Sequence, residues 1–154
     1  MKQEETGEVA ARAAAMRLLS RREHSRLELR VKLRRRRYAE EIIESVIDQL
    51  IIDNLLSEER FARALVVTRT ERGYGPIRIA HDLRESGVGA ELIDLVVDAD
   101  SETWRVRLCD ILLKKFGAEP PNDYKEWARR ANYLQRRGFS TSMVRSVLKV
   151  YDSD

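Results

Sequence analysis

The apolar positions of this chain fall in short helical stripes, and the stripes repeat. Leu33, Tyr38, Ile42, Ile43, Val46 and Ile47 mark the first copy. Fifty residues on stand Leu83, Val88, Leu92, Ile93, Val96 and Val97. A further 51 residues on stand Leu134, Phe139, Met143, Val144, Val147 and Leu148. The last four positions of each copy are spaced i, i+1, i+4, i+5, which is one face of an α-helix. Just before the large apolar residue comes Arg37, Gly87 or Gly138. A fixed period of this length signals an array of like units.

Capping residues divide the stripes into helices. Ser25 and Glu28 form a capping box, in which the Ser accepts an orphan N–H and the Glu reaches back. Ser57, Ser101 and Ser140 each precede a stripe as N-caps. Gly75-Pro76 places Pro at a first helical position, where its missing N–H costs nothing. Gly87 and Gly138 sit where a helix ends in a left-handed residue. The pattern predicts helices over 11–22, 26–37 and 40–52, then 58–71, 76–86 and 90–99, then 102–116, 123–137 and 141–151. No stretch alternates as a strand would. The expected fold class is all-α: three tandem three-helix, helix-turn-helix-like repeats forming an elongated, curved array. The expected divisions are a flexible N-terminus at 1–10 and repeats at 11–55, 56–100 and 101–154.

Charge makes the repeats unequal. The chain carries 29 Lys and Arg against 26 Asp and Glu, a net of +3. Residues 1–38 hold 12 basic and 5 acidic side chains, whereas residues 39–60 hold 1 and 7. Residues 61–100 hold 5 and 7, and residues 101–154 hold 11 and 7. Basic ends suit a polyanion or an acidic protein surface, and an acidic middle argues against uniform coating of DNA. Cys109 is the single cysteine, so no internal disulfide forms, which fits a reducing compartment. The polar start lacks a signal-peptide layout, and no apolar run approaches the roughly 20 residues of a membrane helix. A cytoplasmic protein with no membrane contact is expected.

Three long motifs then carry a resemblance. The first is Leu19-Ser20-Arg21-Arg22-Glu23-His24-Ser25-Arg26-Leu27-Glu28-Leu29, followed by Lys32-Leu33. The second runs through Arg60-Phe61-Ala62, Arg69, Gly73-Tyr74-Gly75-Pro76-Ile77-Arg78-Ile79, Leu83-Arg84 and Gly87-Val88. The third joins Lys114-Lys115-Phe116-Gly117 to Tyr133-Leu134-Gln135-Arg136-Arg137-Gly138-Phe139. Together, in this order, they resemble the signatures of the RecX family of recombinase regulators over about residues 11–150. The resemblance implies three tandem three-helix repeats. It also implies a protein that binds the RecA recombinase, lodges in the groove of its filament on single-stranded DNA, and mainly inhibits recombinase, ATPase and co-protease activity. The implied partners are the RecA filament and single-stranded DNA; weak binding of duplex DNA and a monomeric state are further expectations. Two departures stand out: Arg37 replaces the Gly of the other repeats, and Ser86 stands where the resemblance would place Lys.

The candidate partner contacts are Arg21, Arg22, Arg26, Lys32, Arg34, Arg35, Arg36, Arg37, Tyr74, Arg78, Lys114, Lys115, Arg136 and Arg137. Guanidinium groups take phosphate or carboxylate in two-pronged geometry, so they serve either partner. The run at 34–37 is the densest basic cluster, and Arg136-Arg137 occupies the same place in the third repeat. Four consecutive helical residues point in about four directions, and cations at a helix C-terminus also complement its dipole. Partner contact and a solvated helix end both remain open for that run. Glu23, Ser25 and Glu28 read as folding residues and His24 as a polar turn residue. Cys109 reads as core; Trp104, Trp127, Tyr133 and Phe116 read as core rather than base-stacking platforms, although exposed ones would fit single-stranded DNA, and Tyr74 between two glycines reads as the most exposed aromatic. Enzyme readings fail on inventory: there is no phosphate-binding Gly-rich loop ending in Lys-Ser/Thr and no Cys/His cluster for zinc. No catalytic residue, cofactor or metal is expected. The alternative reading is a helix-turn-helix DNA-binding or transcriptional module with no recombinase partner.

Overall fold

The structure, a computed structural model, describes residues 1–148, and every regular element among them is an α-helix. The elements are α1 (Lys2–Arg21), α2 (Arg26–Arg35), α3 (Glu40–Ile52), α4 (Glu58–Glu71), α5 (Pro76–Glu85), α6 (Ala90–Val97), α7 (Glu102–Phe116), α8 (Tyr124–Arg136) and α9 (Thr141–Val147). The chain is therefore all-α, in three successive three-helix segments. Among the described residues no helix is long and apolar enough to cross a membrane.

The predicted caps are present. Ser25 Oγ accepts from Glu28 N at 3.0 Å, Ser57 Oγ from Arg60 N at 3.2 Å and Ser140 Oγ from Met143 N at 3.2 Å. The Ser25 box is only half formed, because the Glu28 carboxylate takes Arg22 at 2.6 Å rather than turning back to Ser25. Helix α1 begins nine residues before the expected start. Glu4 and Glu5 in its first turn suit the helix dipole, Glu8 accepts from Ser45 of α3 at 2.8 Å, and Gly7 lies against Ile42. Residues 2–10 thus extend α1 along α3 where a flexible start was expected. Helix α6 stops at Val97 because Asp98 turns left-handed, with φ 46°. The last expected helix, to 151, runs outside the described residues beyond α9.

The second helix of every segment ends the same way. Arg37, Gly87 and Gly138 have φ of 66°, 83° and 100°. The next residue in each case, Tyr38, Val88 or Phe139, donates its N–H back to Leu33, Leu83 or Leu134. This is the Schellman closure of a helix, with an apolar residue folded back over the last turn. Arg37 enters it in spite of its side chain.

The chain forms two compact units that do not follow the repeat boundaries. One comprises Met1–Ala64 with Leu83–Leu92; the other comprises Leu65–Asp82 with the chain from Ile93 onward. In the first unit α1 packs on α3 and α2, and Ala11, Ala14, Ala15, Leu29, Leu33, Ile43, Val46, Ile47 and Leu50 are sealed from solvent. The alanines of α1 let the helix axes approach closely. The turn at Gly87 joins this unit: a Cβ there would lie 2.9 Å from Leu27 Cβ. In the second unit α7, α8 and α9 pack on one another around Trp104, Leu108, Ala131, Leu134, Phe139 and Val144. The turn before α5 joins them through the backbone. Gly75 N donates to Arg137 O at 2.7 Å and Ile77 N to Gly138 O at 3.0 Å. Neither glycine has room for a side chain. A Cβ on Gly75 would lie 2.6 Å from Gly138 O, and one on Gly138 would lie 2.6 Å from Arg78 N.

Candidate nucleic-acid interface

The ion pairs separate the basic residues into committed and uncommitted. In the first unit Arg22 pairs with Glu28 at 2.6 Å, Arg30 with Glu44 at 2.6 Å, Arg60 with Glu23 at 3.0 Å and Arg12 with Asp53 at 2.9 Å. Arg34 pairs with Glu40. The hydrogen bonds from Arg34 and Arg30 hold the Glu40 and Glu44 carboxyls below their ordinary range. The acidic stretch after residue 38 thus neutralises part of the basic run before it. Arg21, Arg26, Arg35, Arg36 and Arg37 are exposed and make no ion pair among the described residues.

Lys32 and His24 form a different arrangement. His24 is 1% exposed; its Nε2 lies 2.8 Å from Lys32 Nζ and its Nδ1 3.1 Å from Arg22 O. Lys32 is a donor only, so Nε2 accepts and Nδ1 carries the proton given to the carbonyl. Burial pushes both pKa values down, helped for each by the neighbouring Arg22 charge. His24 is therefore a buried anchor of the first turn, deeper than the polar turn residue expected.

The second unit gathers the remaining candidates. An open groove of about 490 Å³ is lined by Tyr74, Arg78, Lys115, Arg136 and Arg137. Phe116, Arg129 and Tyr133 complete its walls, so every lining side chain is basic or aromatic and none is acidic. The Arg78 and Arg137 guanidiniums each lie 5.1 Å from the centre of the Tyr74 ring. Lys115 and Arg137 approach the Tyr133 ring at 5.2 and 5.4 Å, and Arg129 the Phe116 ring at 5.5 Å. Phe116 meets Tyr133 edge-on at 5.6 Å. Arg137 donates only to neutral oxygens, Tyr133 Oη and Arg72 O, both at 3.3 Å. Arg78 shares Asp82 with Arg69. Lys115, Arg129, Arg136 and Arg137 have no carboxylate partner among the described residues. Lys114 lies in the adjoining hollow with Arg72 and Arg107, where Glu71 and Asp110 add negative charge.

Phe116 and Tyr133, read as core from the sequence, are half-buried groove walls, and Arg129 was not a candidate at all. A signal for it exists: 129, 133 and 136 on α8 and 137 at its C-cap are spaced i, i+4, i+7, i+8, one helical stripe. Cys109 is exposed rather than buried, because it faces outward between Leu108 and Asp110. Trp104 is core, its Nε1 donating to Val97 O at 2.9 Å. Trp127 is half-buried and donates to Leu148 O at 2.8 Å.

Three family models match in order along the chain. They describe the first three-helix domain of RecX over residues 11–50, the second over 57–97 and the third over 106–148. The chain belongs to the RecX family. RecX proteins are regulatory proteins, not enzymes. The Regulatory protein RecX of Halorhodospira halophila is 43% identical over 145 residues, covering 94% of this chain and 90% of that one. That of Pseudomonas fluorescens (strain SBW25) is 40% identical over 146 residues, covering 95% and 94%. A crystal structure of regulatory protein RecX superposes with a TM-score of 0.80 at 22% identity, over 96% of this chain and 73% of that one. RecX from Lactobacillus salivarius gives 0.77 at 20% identity, over 94% and 96%. At those identities the two structures speak to the RecX fold alone.

Proposed function

We propose that this RecX-family protein binds the RecA filament assembled on single-stranded DNA and mainly inhibits its recombinase, ATPase and co-protease activities. It does so as a cytoplasmic monomer, and its contacts are made by its basic side chains. Family membership supports the regulatory role. The observation that carries the choice of partner is the distribution of uncommitted cations. Arg35, Arg36 and Arg37 at the end of α2, and Arg136 and Arg137 at the end of α8, follow the same place in two segments without a carboxylate partner among the described residues. Guanidiniums that the fold leaves without a carboxylate suit a long, regularly charged partner. Family membership does not favour the alternative of a transcriptional module.

The test is ATP turnover by RecA on single-stranded DNA with the purified protein added. Suppression at less than one molecule per recombinase subunit is expected. Unchanged turnover even at excess would refute the reading.

A further inference from the structure

We infer that Lys32 is an acylation site, taking the acyl group of a small acyl phosphate while His24 takes its proton. The inference goes beyond the proposed function, and the reaction it describes needs neither recombinase nor DNA.

Three observations in the first unit point to this chemistry. The first is the pairing of a nucleophile with a base. His24 Nε2 lies 2.8 Å from Lys32 Nζ, and Nδ1 at 3.1 Å from Arg22 O fixes the ring so that Nε2 is the acceptor. An amine held by a base, which is in turn oriented by a third group, is the arrangement of an activated nucleophile. The second is access. His24 is sealed from solvent, but Lys32 is half-buried, so one side of its nitrogen remains open to a small molecule. The third is charge. Burial, and then the Arg22 charge, push the Lys32 ammonium toward its neutral, nucleophilic form; Arg21 and Arg35 add to this and Glu28 opposes it. Arg21 and Arg35 are exposed and make no ion pair among the described residues, so they are free to take a departing dianion. A phosphate leaving group uses them, whereas the leaving group of an uncharged ester does not.

The ammonium first gives one proton to solvent. The Nζ lone pair then attacks the acyl carbon and forms the C–N bond, and His24 Nε2 accepts a second proton from Nζ. The bond between the acyl carbon and the phosphate oxygen breaks, and its electron pair leaves on phosphate. The imidazolium, disfavoured by burial and by Arg22, passes its proton to the phosphate or to water. The product amide keeps one N–H for Nε2 and sheds the positive charge beside Arg22, so the first turn accommodates it.

The test treats the full chain with acetyl phosphate at pH 7.5 and follows each lysine by peptide mass spectrometry. Lys114 and Lys115 are the internal controls, being exposed on α7 in a hollow with no histidine among its lining residues. Lys32 should be acetylated at least about tenfold faster than either, a gain below the roughly 10²–10⁴-fold of a base whose pKa matches the pH. His24→Gln keeps an acceptor for Lys32 but no nitrogen that takes a proton. It should slow Lys32 about tenfold and leave Lys114 and Lys115 unchanged. R21Q/R35Q alters only exposed side chains, and it should slow acetylation by acetyl phosphate more than acetylation by the uncharged p-nitrophenyl acetate. Acetylation of Lys32 no faster than of Lys114 and Lys115, or an unchanged Lys32 rate in His24→Gln, would overturn the inference. Equal slowing of both donors in R21Q/R35Q would overturn the assignment of an acyl phosphate.

Discussion

Arg37→Gly should make this protein more stable although it deletes a side chain. Arg37 holds φ 66° in the turn after α2, where the equivalent residues Gly87 and Gly138 hold 83° and 100°. A left-handed conformation costs a residue with a Cβ about 1–2 kcal/mol. Glycine removes that strain but adds freedom to the unfolded chain, which costs about 0.4–1 kcal/mol. Arg37 makes no hydrogen bond through its side chain among the described residues, so nothing else is lost. The net gain is about 0.5–1 kcal/mol, which for a chain of this size raises Tm by about 1–4 °C. Urea titration followed by far-ultraviolet circular dichroism would read the same gain as a higher midpoint with unchanged slope. The reverse changes calibrate the scale. Gly87→Ala meets Leu27 at 2.9 Å and Gly138→Ala meets the Arg78 backbone at 2.6 Å, so both should lose stability, Gly138→Ala more. An Arg37→Gly protein no more stable than the parent would show that the turn carries no left-handed strain.

Other residues give equally direct tests. His24 is held neutral below its ordinary value of 6.5, so the unfolded chain binds more protons than the folded one as pH falls. The stability it contributes is present above about pH 6.5 and is lost below it. Urea midpoints at pH 7.5 and 5.5 should therefore differ more in the parent than in His24→Gln; an equal difference would refute the assignment. Arg60 ties Glu23 Oε1, Asn54 Oδ1 and Asn54 O at 2.8–3.0 Å, and Arg60→Ala should cost about 1–2 kcal/mol after allowance for partial exposure, measured by urea unfolding. Trp104→Phe strips the donor from Val97 O and Asp98 O and should cost about 1–2 kcal/mol in the same assay. Leu134→Ala opens a cavity in the second unit and should cost about 2–5 kcal/mol.

Local chemistry is what the sequence determined by itself. Helical period, serine caps and left-handed glycines act within a few residues, so the class, the three segments and the turns of α5 and α8 were all legible before any packing was known. The extension of α1 back to Lys2 was not, because Glu8 finds its partner at Ser45, far away in the chain. Charge shows the same division. The run Arg34-Arg35-Arg36-Arg37 is the densest in the sequence, but Arg34 is spent on Glu40. The groove at α8, where fewer basic residues lie together in the chain, has no carboxylate among its lining residues. A charge density read along the chain counts neighbours in sequence; electrostatic potential depends on neighbours in space, and only tertiary packing sets those. Packing likewise turned Tyr133 and Phe116 from expected core into groove walls, and divided the middle repeat between two units. Gly75 and Gly138 meet because neither has a Cβ, an approach that each turn's own sequence permits but only the folded chain brings about.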